Sequence, residues 1–129
     1  MKTIILLVFL LLFSSNLYAQ VIGDVSIGTY YDNVNDELIG NHVVFYTNTV
    51  TCLFEVRDGT FNQLQLIERV LKVKDSGNET IYSSHNIDVD PSWNRVWGDI
   101  YLPKGNYRIK YYSKDGSLLG ESFIFFIMN

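Results

Sequence analysis

From residue 22 onward, apolar and polar side chains alternate in short runs separated by turn residues. This period of two marks strands that bury one face. The runs are rich in Tyr, Phe, Val, Ile and Thr, which suit a pleated, half-buried surface. They predict strands near 24–31, 42–47, 50–57, 66–74, 79–84, 96–102, 106–113 and 117–127. In one hairpin, Val70-Leu71-Lys72-Val73-Lys74 and Glu79-Thr80-Ile81-Tyr82 flank Asp75-Ser76-Gly77-Asn78. In another, Asp115-Gly116 separates Tyr107–Tyr112 from Leu118–Ile127, and Asp-Gly is a strong hairpin signal.

One segment supports two readings. Thr60-Phe61-Asn62-Gln63 fits a helix capping box, with Leu64, Ile67 and Leu71 on one helical face, which would give a short helix over 61–70. The clean alternation of Leu71-Lys72-Val73-Lys74 favours a strand, with a bulge or turn at the phase slip between Leu66 and Ile67. The stretch Leu102-Pro103-Lys104-Gly105-Asn106-Tyr107 has the spacing of a tyrosine corner, in which a phenol bonds back to the backbone upstream. Short strands, a corner tyrosine and few helical signals predict an all-β fold. Its expected form is an immunoglobulin-like Greek-key β-sandwich of seven to eight antiparallel strands.

The first twenty residues follow a different pattern. Lys2 precedes ten apolar residues, Ile4 to Phe13, then a polar break and Ala19-Gln20. This reads as a secretory signal peptide over 1–19, ahead of a single domain over 20–129. The apolar run is shorter than the roughly 20 residues that span a bilayer, so no membrane span is expected after cleavage. The expected setting is extracytoplasmic: secreted, periplasmic or at the cell surface. Loss of Lys2 leaves nine Lys and Arg against fourteen Asp and Glu, a formal charge of −5. Such a chain is repelled by phosphate backbones, so no nucleic-acid partner is expected. Cys52 is the single cysteine, so no disulfide can form within the chain. It shares a strand face with Val50, Phe54 and Val56 and is expected to be a small buried hydrophobe.

The half from Arg69 onward carries a recurrent layout. The strand Leu71-Lys72-Val73-Lys74 leads to Asp75-Ser76-Gly77-Asn78 and then to Ile81-Tyr82. After a gap come Asp99-Ile100-Tyr101-Leu102-Pro103-Lys104-Gly105-Asn106-Tyr107-Arg108-Ile109 and a closing strand after Asp115-Gly116. It resembles the C-terminal sorting domains of type IX secretion cargo and small secreted bacterial sandwiches of the same layout. The resemblance implies a sandwich and an extracytoplasmic setting; it carries no functional residues.

Candidate chemistry is sparse. His42 and His85 stand among Asn and aliphatic residues without a nucleophile motif, so no catalytic residue and no enzyme activity are expected. They show no zinc-ligand spacing. Asp32-Asn33-Val34-Asn35-Asp36-Glu37 and the alternating Asn86, Asp88 and Asp90 are oxygen-rich, but they read as solvated acidic loops, and neither a metal nor a cofactor is expected. Asn78-Glu79-Thr80 is a glycosylation sequon that matters only in a eukaryotic secretory pathway.

The aromatic residues are more suggestive. If 93–101 runs extended, Trp93, Arg95, Trp97, Asp99 and Tyr101 share one side, with Val96, Ile100 and Leu102 on the other. Trp93, Arg95, Trp97 and Tyr101 then form a candidate face for a glycan or peptide, provided that Gly98 does not bulge and Pro91 does not exclude Trp93 from the strand. The other reading buries Trp97 in the core or against a sheet edge. In the last strand, Phe123, Phe125 and Ile127 are expected to face the core, leaving Ile124, Phe126 and Met128 as candidate partner contacts. An open edge there would invite strand addition, and with it a homodimer or an assembly subunit. The leading expectation is a non-enzymatic exported sandwich that binds a protein or a glycan.

Overall fold

Along Thr49–Val56 the sequence places Val50, Cys52, Phe54 and Val56 on one side, and all four side chains are buried. The same rule shapes most of the chain. The computed structural model describes residues 22–129, and the leader expected over 1–19 lies outside the described residues. The strands are β1 (Gly23–Gly28), β2 (Tyr30–Asp32), β3 (Glu37–Ile39), β4 (Val44–Phe45), β5 (Thr49–Val56), β6 (Gln65–Val73), β7 (Glu79–Asp88), β8 (Arg95–Tyr101), β9 (Gly105–Ser113), β10 (Leu118–Glu121) and β11 (Phe125–Ile127).

They form two packed sheets and a small ribbon. One sheet has the order β1-β5-β8; the other runs β4-β11-β9-β6-β7, with β10 also on β9; β2 and β3 pair only with each other. The core lies between the sheets. Val25, Ile27, Val50, Cys52, Phe54 and Val56 come from the first sheet, while Leu66, Val70, Ile109, Tyr111, Leu119, Phe125 and Ile127 come from the second. Phe54 stacks on Tyr111 with ring centroids 4.7 Å apart and on Phe61 at 5.9 Å. Truncating such a ring to alanine costs about 3–5 kcal/mol.

Among the described residues, eleven strands replace the seven or eight expected, for local reasons. The run 24–31 divides at Thr29, where the backbone turns into the β2–β3 hairpin; the Thr29 N–H donates to the Ile39 carbonyl at 2.7 Å. The turn of that hairpin is held by Asp32, which accepts from the Val34 and Asn35 N–H groups, and Asp36 takes a φ of 57°. The run 117–127 also divides. The Ser122 hydroxyl accepts from the Ile109 N–H at 3.0 Å, standing where a ladder carbonyl would stand, and donates to the Phe123 carbonyl. Phe123 is thereby turned out of the core to 85% exposure, which corrects its expected burial.

The helix reading of 61–70 is excluded. β6 starts at Gln65, and before it Phe61 and Asn62 donate to the carbonyls of Trp93 and Pro91. β6 pairs with β9 without a slip at Leu66–Ile67; the irregularity lies on its other side, between Val70 and Leu71, opposite β7.

The expected all-antiparallel pairing has one exception, and it corrects the partner reading of the last strand. β4 pairs with β11 in parallel, with the Phe126 N–H on the Val43 carbonyl and the Met128 N–H on the Phe45 carbonyl. The chain thus passes from the first sheet at β1 to the second at β4, with the β2–β3 ribbon between them. Phe125 and Ile127 point inward as expected, while Ile124 and Phe126 are half-buried and Met128 is exposed. The open edge expected beside them is already occupied by β4. Each sheet still ends on strands with a single ladder partner among the described residues: β1 and β8 on β5, the two-residue β4 on β11, and the long β7 on β6.

Candidate functional site

β8 sets one face inward and one outward, because its ladder with β5 runs from Thr49–Tyr101 to Glu55–Arg95 without a bulge at Gly98. Val96 and Ile100 pack against the core, and Leu102, just beyond the strand, is fully buried. Trp97 points outward, 40% exposed. Trp93 lies in the turn before the strand, where its N–H donates to the Asp90 carbonyl at 3.0 Å; it is 50% exposed. Pro91 does keep Trp93 out of the strand, yet the turn returns it to the same cleft as Trp97.

The cleft has a volume of about 570 Å³ and is lined by Tyr31, Asp36, Ser92, Trp93, Asn94, Arg95 and Trp97, with Val96 beside them. Sequence reasoning missed Tyr31 and Asp36, because they arrive on the β2–β3 ribbon from the opposite side of the first sheet. Tyr31 stacks on Trp97, with centroids 4.7 Å apart and planes 19° from parallel. Arg95 Nη1 donates to the Tyr31 hydroxyl at 2.9 Å and to the Asp36 carbonyl at 2.9 Å, and lies 3.0 Å from Asp36 Oδ2. Its Nη2 meets the Glu55 carboxylate, and the Tyr31 hydroxyl donates in turn to Asp36 Oδ1.

These bonds change the role of Arg95. Its guanidinium braces the ribbon against β8 and has few donors left for a ligand. The hydrogen bond to Tyr31, followed by the charge of Glu55, holds it above the ordinary arginine value. Burial, followed by the bond to Asp36, pushes the Tyr31 phenol up, so it remains a donor.

Tyr101 stands apart. At 68% exposure it lines a separate, smaller cleft of about 300 Å³ on the flank between the two sheets, with Glu68, Tyr82, Ser83, His85 and Asp99. Two β8 positions four residues apart are separated by about 13 Å. The structure therefore groups Trp93, Arg95 and Trp97 and leaves Tyr101 outside the group.

His42 lines a crevice near Val43, Phe123 and Phe125, whereas His85 sits on β7 opposite Glu68. The oxygen-rich loop residues have internal partners. Asp32 caps its own turn, and its carboxyl is held below the usual range by the Asn35 side chain first and then by the Asn35 and Val34 N–H groups. Asp90 accepts from the Ser92 N–H and hydroxyl, which likewise lower it, and Asp88 accepts from Gln65. Among the described residues no three His, Cys, Asp or Glu side chains gather to hold a metal, and no helix is long and apolar enough to cross a membrane.

Between the central strands of the two sheets, Cys52 Sγ lies 3.7 Å from the Tyr111 hydroxyl, which donates to Glu68. Here burial, reinforced by the Glu68 charge, pushes the Cys52 thiol well above its ordinary value, so it stays protonated.

No protein-family model matches the chain, and no curated protein matches it in sequence. Among solved structures it is similar to an immunoglobulin-like protein from Pseudomonas aeruginosa, with 12% identity, a TM-score of 0.54, and 84% of this chain and 94% of that chain covered. It is similar at a lower level to a superoxide reductase (neelaredoxin) from Ignicoccus hospitalis, with 12% identity, a TM-score of 0.43, and 80% and 81% covered. The second likeness carries no structural argument. The first shows the fold: this chain is an immunoglobulin-like β-sandwich.

Proposed function

We propose that the protein is an exported, non-enzymatic β-sandwich that binds a protein or a glycan at the cell surface or in the periplasm. One observation carries the binding reading: two half-exposed tryptophans, Trp93 and Trp97, share a cleft whose walls are braced by Tyr31, Arg95 and Asp36. Large amphipathic rings held rigid are what recognition surfaces use, because little side-chain entropy is lost on binding. The apolar leader of Ile4 to Phe13 and the resemblance of 69–129 to type IX sorting domains support the setting.

Two measurements test this reading. Mature protein recovered from a cell-envelope or medium fraction, with an N-terminus near Gln20, is the expected result; full-length protein retained in the cytoplasm rules out the setting. For the site, Trp93→Ala is expected to weaken whichever interaction the protein makes, and an unchanged interaction rules the cleft out.

A second reading, assembly by strand pairing, is favoured by β7. Its residues 80–87 carry no Lys, Arg, Asp, Glu or Pro, the usual blockers of edge pairing. A strictly monomeric native mass speaks against it.

A further inference from the structure

We infer that the Trp93–Trp97 cleft takes an uncharged saccharide, its ring stacked on indole and its hydroxyls met by Ser92 and Asn94. The inference rests on the binding reading above and narrows it to one ligand class. Charge decides the class. The two ionised groups that line the cleft, Asp36 and Arg95, are paired to each other at 3.0 Å. Arg95 is further taken up by Tyr31 and Glu55, so no spare cation is presented to a phosphate, sulfate or carboxylate. Glu55 adds negative charge behind the pair and disfavours anions further. Asp36 is spent on Tyr31 as well as Arg95, so it is a poor anchor for a cationic side chain.

What the cleft does offer is neutral. Trp93 and Trp97 supply aromatic faces, and the Tyr31 stack holds the Trp97 indole in place. Asn94 is exposed, and its backbone is pinned by the Val56 N–H on its carbonyl at 2.9 Å. The Ser92 hydroxyl donates to Asp90 at 2.7 Å, which orients its lone pairs as acceptors. Apolar faces beside an oriented hydroxyl acceptor and an exposed amide, with no net charge, match a sugar ring, which has C–H faces and a hydroxyl rim.

The test is a tryptophan-fluorescence titration of the full chain with neutral gluco-, manno-, galacto- and N-acetylglucosamine tetrasaccharides, their sulfated and uronate counterparts, and a peptide set. The expected result is saturable binding of at least one neutral tetrasaccharide, insensitive to added salt. That affinity is expected to fall about fivefold to tenfold in Trp93→Ala and in Asn94→Ala, variants at exposed positions, and to survive in Trp97→Phe, which keeps a ring on Tyr31. Binding of the anionic members alone, weakening with salt, overturns the uncharged class. Peptide binding that Trp93→Ala abolishes, with no saccharide bound, overturns the saccharide inference and leaves the binding reading standing. Failure of every neutral member to bind also overturns it. Saccharide or peptide binding unaffected by both alanine variants sinks the inference and the cleft together.

Discussion

The Tyr107 hydroxyl donates to the Pro103 carbonyl at 2.7 Å, tying the start of β9 to the chain four residues upstream. The phenol is buried, and burial, followed by the neighbouring Tyr82, raises its pKa, so it stays a donor through neutral pH. Tyr107→Phe keeps the ring and strips the bond, leaving the Pro103 carbonyl short of its partner. The expected loss is about 1–3 kcal/mol, read as a lower urea midpoint at unchanged slope. A midpoint within error of the parent would show that the corner contributes no stability.

Gly98 and Gly120 are expected to respond oppositely to alanine. A Cβ at Gly120 would stand 2.7 Å from the Gly23 carbonyl oxygen and 3.0 Å from the Phe54 ring, forcing β1 away from β10. Overpacking of this kind costs about 1–3 kcal/mol. A Cβ at Gly98 meets nothing within 4 Å, so Gly98→Ala should be neutral or stabilise by up to about 1 kcal/mol through the unfolded chain. Thermal melts of the two variants check the sign of each.

Cys52 should be chemically silent in the native state. Iodoacetamide is expected to label it only at the rate of global unfolding, with no disulfide-linked dimer on a non-reducing gel. The folded thiol keeps a proton that the unfolded thiol gives up above about pH 8.5, so stability should fall as pH rises past that point, by at most about 1.4 kcal/mol per unit. Cys52→Ala removes this slope between that pH and the onset of tyrosine ionisation. Rapid labelling of native protein would contradict the burial.

Arg95 is a brace, so its loss should loosen the β2–β3 ribbon more than it destabilises the sandwich. Arg95→Ala is expected to raise hydrogen exchange at Thr29, whose amide closes the ribbon on Ile39, and to cost about 1–2 kcal/mol. Arg95→Lys should rescue little, because one ammonium cannot reach Tyr31, Asp36 and Glu55 together. Unchanged exchange at Thr29 in Arg95→Ala would remove the bracing role.

The sandwich was legible wherever one strand buries one face. Val50, Cys52, Phe54 and Val56 on β5 and the inward Val96 and Ile100 on β8 follow from alternation alone, and Tyr107 follows from the turn residues before it. The candidate cleft was half legible. Trp93, Arg95 and Trp97 lie close in sequence, but Tyr31 and Asp36 come from more than 55 residues upstream, one on a strand of three residues, too short to show a period, and the other in the turn that follows it. Asp32 to Asp36 looked like an exposed acidic loop because their carboxylates do turn-closing and bracing work that composition does not distinguish from solvation. The break at Ser122 was hidden for a similar reason, since a hydroxyl there imitates a backbone carbonyl.

The β4–β11 pairing has a consequence for the order of folding. Asn48 and Asn129, which flank the pair, exchange amide hydrogen bonds at 2.8 Å across a sequence separation of 81. Closing a loop of that length costs about 4 kcal/mol of chain entropy, and a two-residue parallel ladder returns little of it. β4 therefore has nothing to dock against until β9 and β11 are in place, which makes its docking a late event in a high-contact-order fold. Truncations at Phe45, the buried residue of β4, should speed unfolding and leave the folding rate nearly untouched, whereas truncations at Ile109, in the central strand, should slow folding. The segment that closes the sandwich is thus the last to commit and the first to let go.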